Sequence, residues 1–376
     1  MEIYVVKQGD TVDTIAQSFG VPVESVIYNN QLFSPYRLAI GQALLVPSES
    51  QPPGRSIRTG GYAYSSINEE ILTQTLPWLS GLFVFSYGFT PEGYLIPPNP
   101  DDSFMIALAK DYAVKPILSL TPRDSESAFN NNLIHTVIND EAKTETLIES
   151  LTATVLQKGF QGVDLDFEYI LPQDRLPYIA FVKKVRSAVN AIGYELSVAL
   201  APKTSGSQQG ILYEGMDYPG LGEAADSVLL MTYEWGYTYG PPMAVAPINE
   251  VRRVVEYAVS VISPGKINLG IPNYGYDWTL PFIRGQSYAT ALSLEYAVQL
   301  AIDHDAVIEF DPVAMSPYFH YTAGGSEHEV WFEDVRSIQE KFDLIKEYGL
   351  RGAIYWQIMK FFRPNWILLE NNFRIL

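Results

Sequence analysis

The sequence has no cysteine, which excludes disulfides, thiol nucleophiles and cysteine-ligated metals. Histidine is nearly as scarce. His135, His304, His320 and His328 are the whole set, and none is paired at H-x-x-x-H spacing, so neither a zinc site nor any other cofactor is expected. Basic side chains are in deficit, 25 against 43 acidic, for a net charge of −18. Phosphate backbones reward basic surfaces, so nucleic acid is not an expected partner. No run approaches the ~18 apolar residues a membrane span requires, so a membrane is not expected either. The segment from Met1 to Lys7 lacks a basic stretch followed by an apolar one and enters a folded pattern at once, so no secretory leader is expected.

What is abundant is apolar and aromatic. Hydrophobic residues make up 47% and charged ones 18%, enough for a sizeable core, and 376 residues suit one large domain plus a small module. The 25 Tyr, 18 Phe and 6 Trp exceed the needs of such a core. A tightly packed barrel and a cleft lined with stacking surfaces for sugar rings are both consistent with them.

Residues 1–48 read as a compact βααβ unit. Ile3 to Val6 is a strand, Gly9-Asp10 its turn, and Asp10 or Thr11 caps a helix carrying Val12, Ile15, Ala16 and Phe19 that stops at Gly20. A second helix spans Val23 to Tyr28 and breaks at Asn29-Asn30; Ala43 to Pro47 closes the unit. Residues 49–55 are a linker, and Pro52-Pro53 within it predicts a short, stiff tether. From residue 56 to 376, strand-like runs alternate with amphipathic helices. Eight strands are predicted: Arg58–Tyr64, Gly81–Tyr87, Lys115–Leu120, Gly162–Glu168, Leu196–Ala201, Ser227–Tyr233, Lys266–Ile271 and Gly352–Trp356. Closure into an α/β (β/α)8 TIM barrel is the most economical arrangement, with an open doubly wound sheet as the alternative. Residues 276–333 are too long for one crossover, which predicts a small α+β insertion before the last helix and strand.

The most informative stretch runs from Gly159 to Ile170. A period of two places Asp164, Asp166 and Glu168 on one face and Val163, Leu165 and Phe167 on the other. In a barrel the apolar set packs under the helices, so the carboxylates point inward, where like charges destabilise each other unless protons are retained. An acidic edge strand and a carboxylate site for Mg²⁺ or Mn²⁺ are the alternatives.

Two resemblances follow. Tyr4-Val5-Val6-Lys7-Gln8-Gly9-Asp10-Thr11, with Ile15-Ala16, Asn29-Asn30 and Gly41-Gln42-Ala43-Leu44-Leu45-Val46-Pro47, resembles the LysM module, although Gln31 to Ile40 is slightly longer than usual. The resemblance implies binding of N-acetylglucosamine in peptidoglycan or chitin, in a groove between the loop Gly9, Asp10, Thr11 and the loop before Ile40. Gly162-Val163-Asp164-Leu165-Asp166-Phe167-Glu168 resembles the signature of glycoside hydrolase family 18, with Gln161 in place of the signature's first Asp. Met231-Thr232-Tyr233-Glu234-Trp235-Gly236, the segment Gly270 to Trp278, and Gly352 to Gln357 are similar to the family's strand-six, strand-seven and strand-eight motifs, with Glu234 where Asp is more usual. The pairing with LysM resembles the spore-cortex and germination N-acetylglucosaminidases of endospore-forming bacteria.

This resemblance implies a retaining hydrolase that uses substrate-assisted catalysis. Glu168 is then the general acid, Asp166 orients the substrate's acetamido group, Asp164 holds Asp166, and Tyr233 bonds the acetamido oxygen. Trp356, Met231 and Glu234 bind substrate, and Tyr62, Tyr64 and Phe85 are further cleft-lining candidates. Peptidoglycan of the spore cortex is the expected partner of a monomer located in spore coat, cortex or cell wall. Chitin, a glycoprotein N-glycan, and a non-catalytic carbohydrate-binding role are the alternatives.

Overall fold

The computed structural model describes residues 1–48, 53–124 and 129–376; residues 49–52 of the expected tether lie outside this set. At the N-terminal end, Glu2–Val5 pairs antiparallel with Ala43–Val46, Ile3 opposite Leu45. Helix Val12–Phe19 lies between them. It starts with a reciprocal cap, the Thr11 hydroxyl accepting from Thr14 N at 3.1 Å and the Thr14 hydroxyl accepting from Thr11 N at 2.9 Å, and ends at Gly20 in the left-handed region. After the second helix, Val23–Asn29, the Asn30 side chain bonds the Val26 and Leu45 carbonyls and the Leu45 N–H, pinning the helix end to the closing strand.

Eight parallel strands then close on themselves: Ser56–Tyr64, Gly81–Phe89, Lys115–Leu120, Gly162–Leu165, Glu195–Leu200, Ser227–Leu230, Ile267–Pro272 and Gly352–Trp356, the eighth pairing with the first. The result is the expected TIM barrel. Two strands are shorter than predicted. The fourth ends at Leu165 rather than Glu168, and the sixth at Leu230 rather than Tyr233. Beyond them the backbone leaves the ladder: Tyr169 and Glu234 take positive φ (54° and 67°), and Tyr233 N bonds the Met231 carbonyl only two residues back. Short-range bonds of this kind replace the ladder where the chain turns over the barrel mouth.

Between the seventh strand and helix Val335–Glu347 stands a five-stranded antiparallel sheet with helix Leu294–Asp303; that helix and the eighth strand are not the last elements, since helix Arg363–Asn372 and strand Arg374–Ile375 follow. Its long hairpin, Ser316–Ala323 with Ser326–Trp331, turns at Gly324-Gly325, both at positive φ as a two-residue hairpin loop demands. Behind this sheet the carboxylate of Glu333 is fully buried, with Lys341 Nζ at 2.8 Å and Ser337 Oγ at 2.5 Å.

The N-terminal module is docked. Ile308 N donates to the Ile40 carbonyl at 2.8 Å, Arg37 Nη2 to the Ile302 carbonyl at 2.9 Å, and Arg336 Nη2 to the Gly41 carbonyl at 3.2 Å. Gly41 has φ 83°, and a Cβ there would lie 1.8 Å from the Ile308 carbonyl oxygen, so only glycine allows this approach. Ala39 joins the insertion's apolar core. Among the described residues no helix is long and apolar enough to cross a membrane.

Candidate active site

The site is built from the alternation in the fourth strand. Phe167 points outward and stacks on Phe89, Tyr178 and Phe181 at 5.5, 5.8 and 5.9 Å, under helix Arg175–Ala191. That packing holds Asp164 and Asp166 inside the barrel, both buried, and leaves Glu168 half-buried at the mouth. Gln161, four residues before Leu165, is exposed.

Asp164 is held from three strands. Tyr62 on the first strand donates to Oδ2 at 2.8 Å, Ser119 on the third to Oδ2 at 3.0 Å, and Ser197 on the fifth to Oδ1 at 2.5 Å. Burial still pushes its carboxyl up to about 6, against three hydroxyls that favour the anion. Asp166 is treated differently. Its Oδ1 is buried and meets no hydrogen-bond partner. Burial, then the charges of Glu168 and Asp164, hold it well above the usual carboxylate range. Glu168 is raised by burial and by the charge of Glu234.

Glu234 sits on the sixth strand's irregular continuation and accepts from the hydroxyls of Tyr274 and Tyr276, the latter at 2.9 Å. It stands on the ridge between two cavities. One, of about 170 Å³, is lined by Glu168, Met231, Tyr233 and Trp235; the other, of about 270 Å³, by Trp356, Tyr64, Tyr274 and Tyr276. Gly270 leaves room for the ring of Tyr233, since a Cβ would come within 2.8 Å of it. Trp356, ending the eighth strand, packs edge-on against Phe85 at 4.8 Å and Tyr62 at 5.6 Å.

Of the residues singled out from the barrel sequence, Glu168, Met231, Tyr233, Glu234, Trp356 and Tyr64 line these two adjoining cavities. Asp164, Asp166, Tyr62 and Phe85 border neither and are buried, Tyr62 bonded to Asp164 and Phe85 packed on Trp356. Sequence reasoning missed Ser119 and Ser197, whose only signal is inward parity at the height of Asp164, and Tyr274 and Tyr276, which lie where the insertion begins. Gly9, Asp10 and Thr11 line neither cavity. The Asp10 carboxylate is occupied within its own loop, accepting from Tyr4 OH and Lys7 N at 2.7 Å each, and Thr11 caps its helix. Among the described residues no three His, Asp or Glu side chains converge as a metal-ligand set.

Buried, proton-retaining carboxyls beside aromatic walls can deliver a proton to a leaving oxygen and stabilise a nearby cation. Similarity to known proteins agrees with that chemistry. Residues 105–360 match the family described as Glycosyl hydrolases family 18, and residues 4–47 match the LysM domain. The cortical fragment-lytic enzyme of Bacillus subtilis (strain 168) is 35% identical over 429 residues, covering 100% of this chain and 99% of that protein. Among solved structures, the spore cortex-lytic enzyme SleL of Bacillus megaterium QM B1551 superposes with a TM-score of 0.93 at 34% identity, covering 100% of this chain and 98% of that one. A chitinase from Chromobacterium violaceum superposes with a TM-score of 0.77 at 25% identity, covering 84% of this chain and 98% of its own.

Proposed function

The chain belongs to glycosyl hydrolase family 18 and is a glycosidase, and from that premise we propose that it cleaves N-acetylglucosamine linkages in spore-cortex peptidoglycan with retention of configuration, the substrate's own acetamido group serving as nucleophile. The observation that carries this reading is the orphaned, buried Oδ1 of Asp166 beside Glu168. Glu333 also has an orphaned oxygen, but Lys341 answers its charge; the charges acting on Asp166 are those of Glu168 and Asp164, which leaves there a place for a donor brought by the substrate.

Glu168, its proton retained by burial and by Glu234, protonates the glycosidic oxygen. The acetamido carbonyl oxygen attacks C1 as the C1–O bond breaks, forming a cyclic oxazolinium ion. Asp166 accepts the acetamido N–H and faces the positive charge that develops there, while Asp164, held by Tyr62, Ser119 and Ser197, orients it. Tyr233 bonds the acetamido oxygen, and Trp356 stacks beneath the ring. Met231 and Glu234 contact the sugars on either side of the broken bond. Water then attacks C1 as the C1–O bond of the oxazolinium ring breaks and the acetamido group is restored, and it gives a proton to the Glu168 carboxylate, which restores the acid.

No metal or cofactor enters this scheme. The LysM domain, through the loop Gly9, Asp10, Thr11, retains the protein on its insoluble glycan in the cortex or cell wall. The names of the Bacillus relatives support cortex over chitin, and the Chromobacterium fold relative keeps chitin as the comparison substrate. Incubation with purified cortex peptidoglycan, chitin oligomers and a high-mannose glycoprotein, followed by mass analysis and early-time NMR, tests the reading. Cortex fragments ending in β-anomeric N-acetylglucosamine are expected. An inverted first product, or cleavage of the glycoprotein alone, would overturn it.

A further inference from the structure

A separate cavity of about 270 Å³ lies in the seam between the N-terminal module and the insertion. Both units line it: Gln31, Phe33 and Gln42 from the module, Val298 and Gln299 from helix Leu294–Asp303, and Phe362 from beyond the last barrel strand. The loop Gly9, Asp10, Thr11 and the residues used in the chemistry above do not border it, whereas the loop before Ile40, the other side of the expected LysM groove, does. The Gln31, Gln42 and Gln299 amides already bond within the protein, so the polar lining for sugar hydroxyls and an acetamido group is Ser34, Arg37 and Asp303, and the apolar walls suit an acetyl methyl and the C–H face of a ring. Phe33, 58% exposed, offers an aromatic surface that no core requires.

This cavity and the Trp356 side of the cleft share a wall. Ser293 and Lys360 border the cleft, and Glu295 and Phe362 border the seam cavity. Gln31 spans the wall: its Nε2 donates to Glu295 Oε2 at 2.9 Å and to the Phe361 carbonyl at 3.3 Å, and its Oε1 accepts from Arg363 N at 2.9 Å. The positive charge of Lys360 acts on Glu295 across the same wall.

We propose that the seam cavity is a saccharide subsite, holding an N-acetylhexosamine unit of the glycan strand whose other units occupy the cleft. The inference rests on the cleft's binding such a strand, and it makes the module part of the substrate track. A strand long enough to reach both places binds the second at the effective concentration set by the first, whereas a short one gains nothing.

The test uses the full chain carrying Glu168→Gln, so that nothing is consumed. Soluble β-1,4-linked N-acetylglucosamine oligomers of three and of eight units are titrated calorimetrically, alone and with a second substitution. Val298→Trp fills the cavity; Phe33→Ala removes only its exposed rim. With either, affinity for the eight-unit oligomer is expected to fall roughly tenfold while that for three units stays unchanged. If Val298→Trp lowers the unfolding temperature, Phe33→Ala alone decides. Unchanged affinity for the longer oligomer, or binding of neither, overturns the subsite. A length-dependent loss, with the unsubstituted protein cleaving no N-acetylglucosamine polymer, would leave the subsite standing and sink the proposed reaction instead.

Discussion

The barrel mouth and the junction behind the insertion both bury carboxylates, and they settle the resulting charge in opposite ways. At the junction, Glu333 faces the ammonium of Lys341 and the hydroxyl of Ser337, all three fully buried. Each of the two carboxylates has one buried oxygen without a donor, but the charges acting on Asp166 at the mouth are those of Glu168 and Asp164, where Glu333 has the ammonium of Lys341. The junction carries its counter-charge within the fold. The mouth leaves that role to retained protons and, in the proposed mechanism, to the substrate.

The largest expected effect breaks the mouth. Glu168→Gln should lower kcat by ~10²- to 10⁴-fold, the usual contribution of a general acid, with glycan affinity and unfolding temperature close to those of the parent. Steady-state kinetics beside calorimetry check this, and a well-folded variant retaining most activity removes Glu168 from the mechanism. Next, the two regions can be set directly against each other. Lys341→Met strands Glu333 without its partner and should cost ~3–5 kcal/mol of stability. Asp166→Asn, by contrast, replaces a buried carboxyl that no cation answers, so it should abolish turnover without lowering stability. Denaturant unfolding of both decides, and an equal loss in the two variants would erase the contrast.

The smallest effect concerns pH. The Asp164 carboxyl, raised from 3.8 to about 6, binds its proton more tightly in the folded than in the unfolded chain. Its contribution to stability is therefore complete below about pH 4 and lost as pH rises through about 6, on the order of 3 kcal/mol. Asp164→Asn should flatten that part of the stability curve. A parental curve already flat between pH 4 and 7 would show that the three hydroxyls outweigh burial.

Much of this was legible from local pattern. Alternation alone faced Asp164 and Asp166 inward, because Val163, Leu165 and Phe167 had to face the helices. The barrel followed from eight runs in order, and the long segment before helix Val335–Glu347 holds a separate sheet, but helix Arg363–Asn372 after the eighth strand was not anticipated. The early ends of the fourth and sixth strands were not legible, since nothing in Phe167 or Tyr233 announces that Tyr169 and Glu234 turn to positive φ. The docking of the module was missed for a different reason. Gly41 reads as a turn residue in its own unit, and its contact with Ile308, 267 positions away, leaves no local trace. Pro52-Pro53 suggested a tether because composition reports on the linker and not on the surfaces at its two ends. Ser119 and Ser197 looked like ordinary strand residues until three strands brought them to one carboxylate.

The orphaned oxygen of Asp166 also bears on what selection can retain. Marginal stability is the ordinary condition of proteins, and most routes to a sturdier chain are open to mutation. In the proposed mechanism one short route runs through the centre of the site, where a neutral side chain in place of Asp166 would relieve the fold and silence the enzyme together. A lineage screened only for hardiness would drift toward an inert barrel with an intact cleft, and the persistence of the acidic trio would then record that catalysis was kept at the expense of robustness.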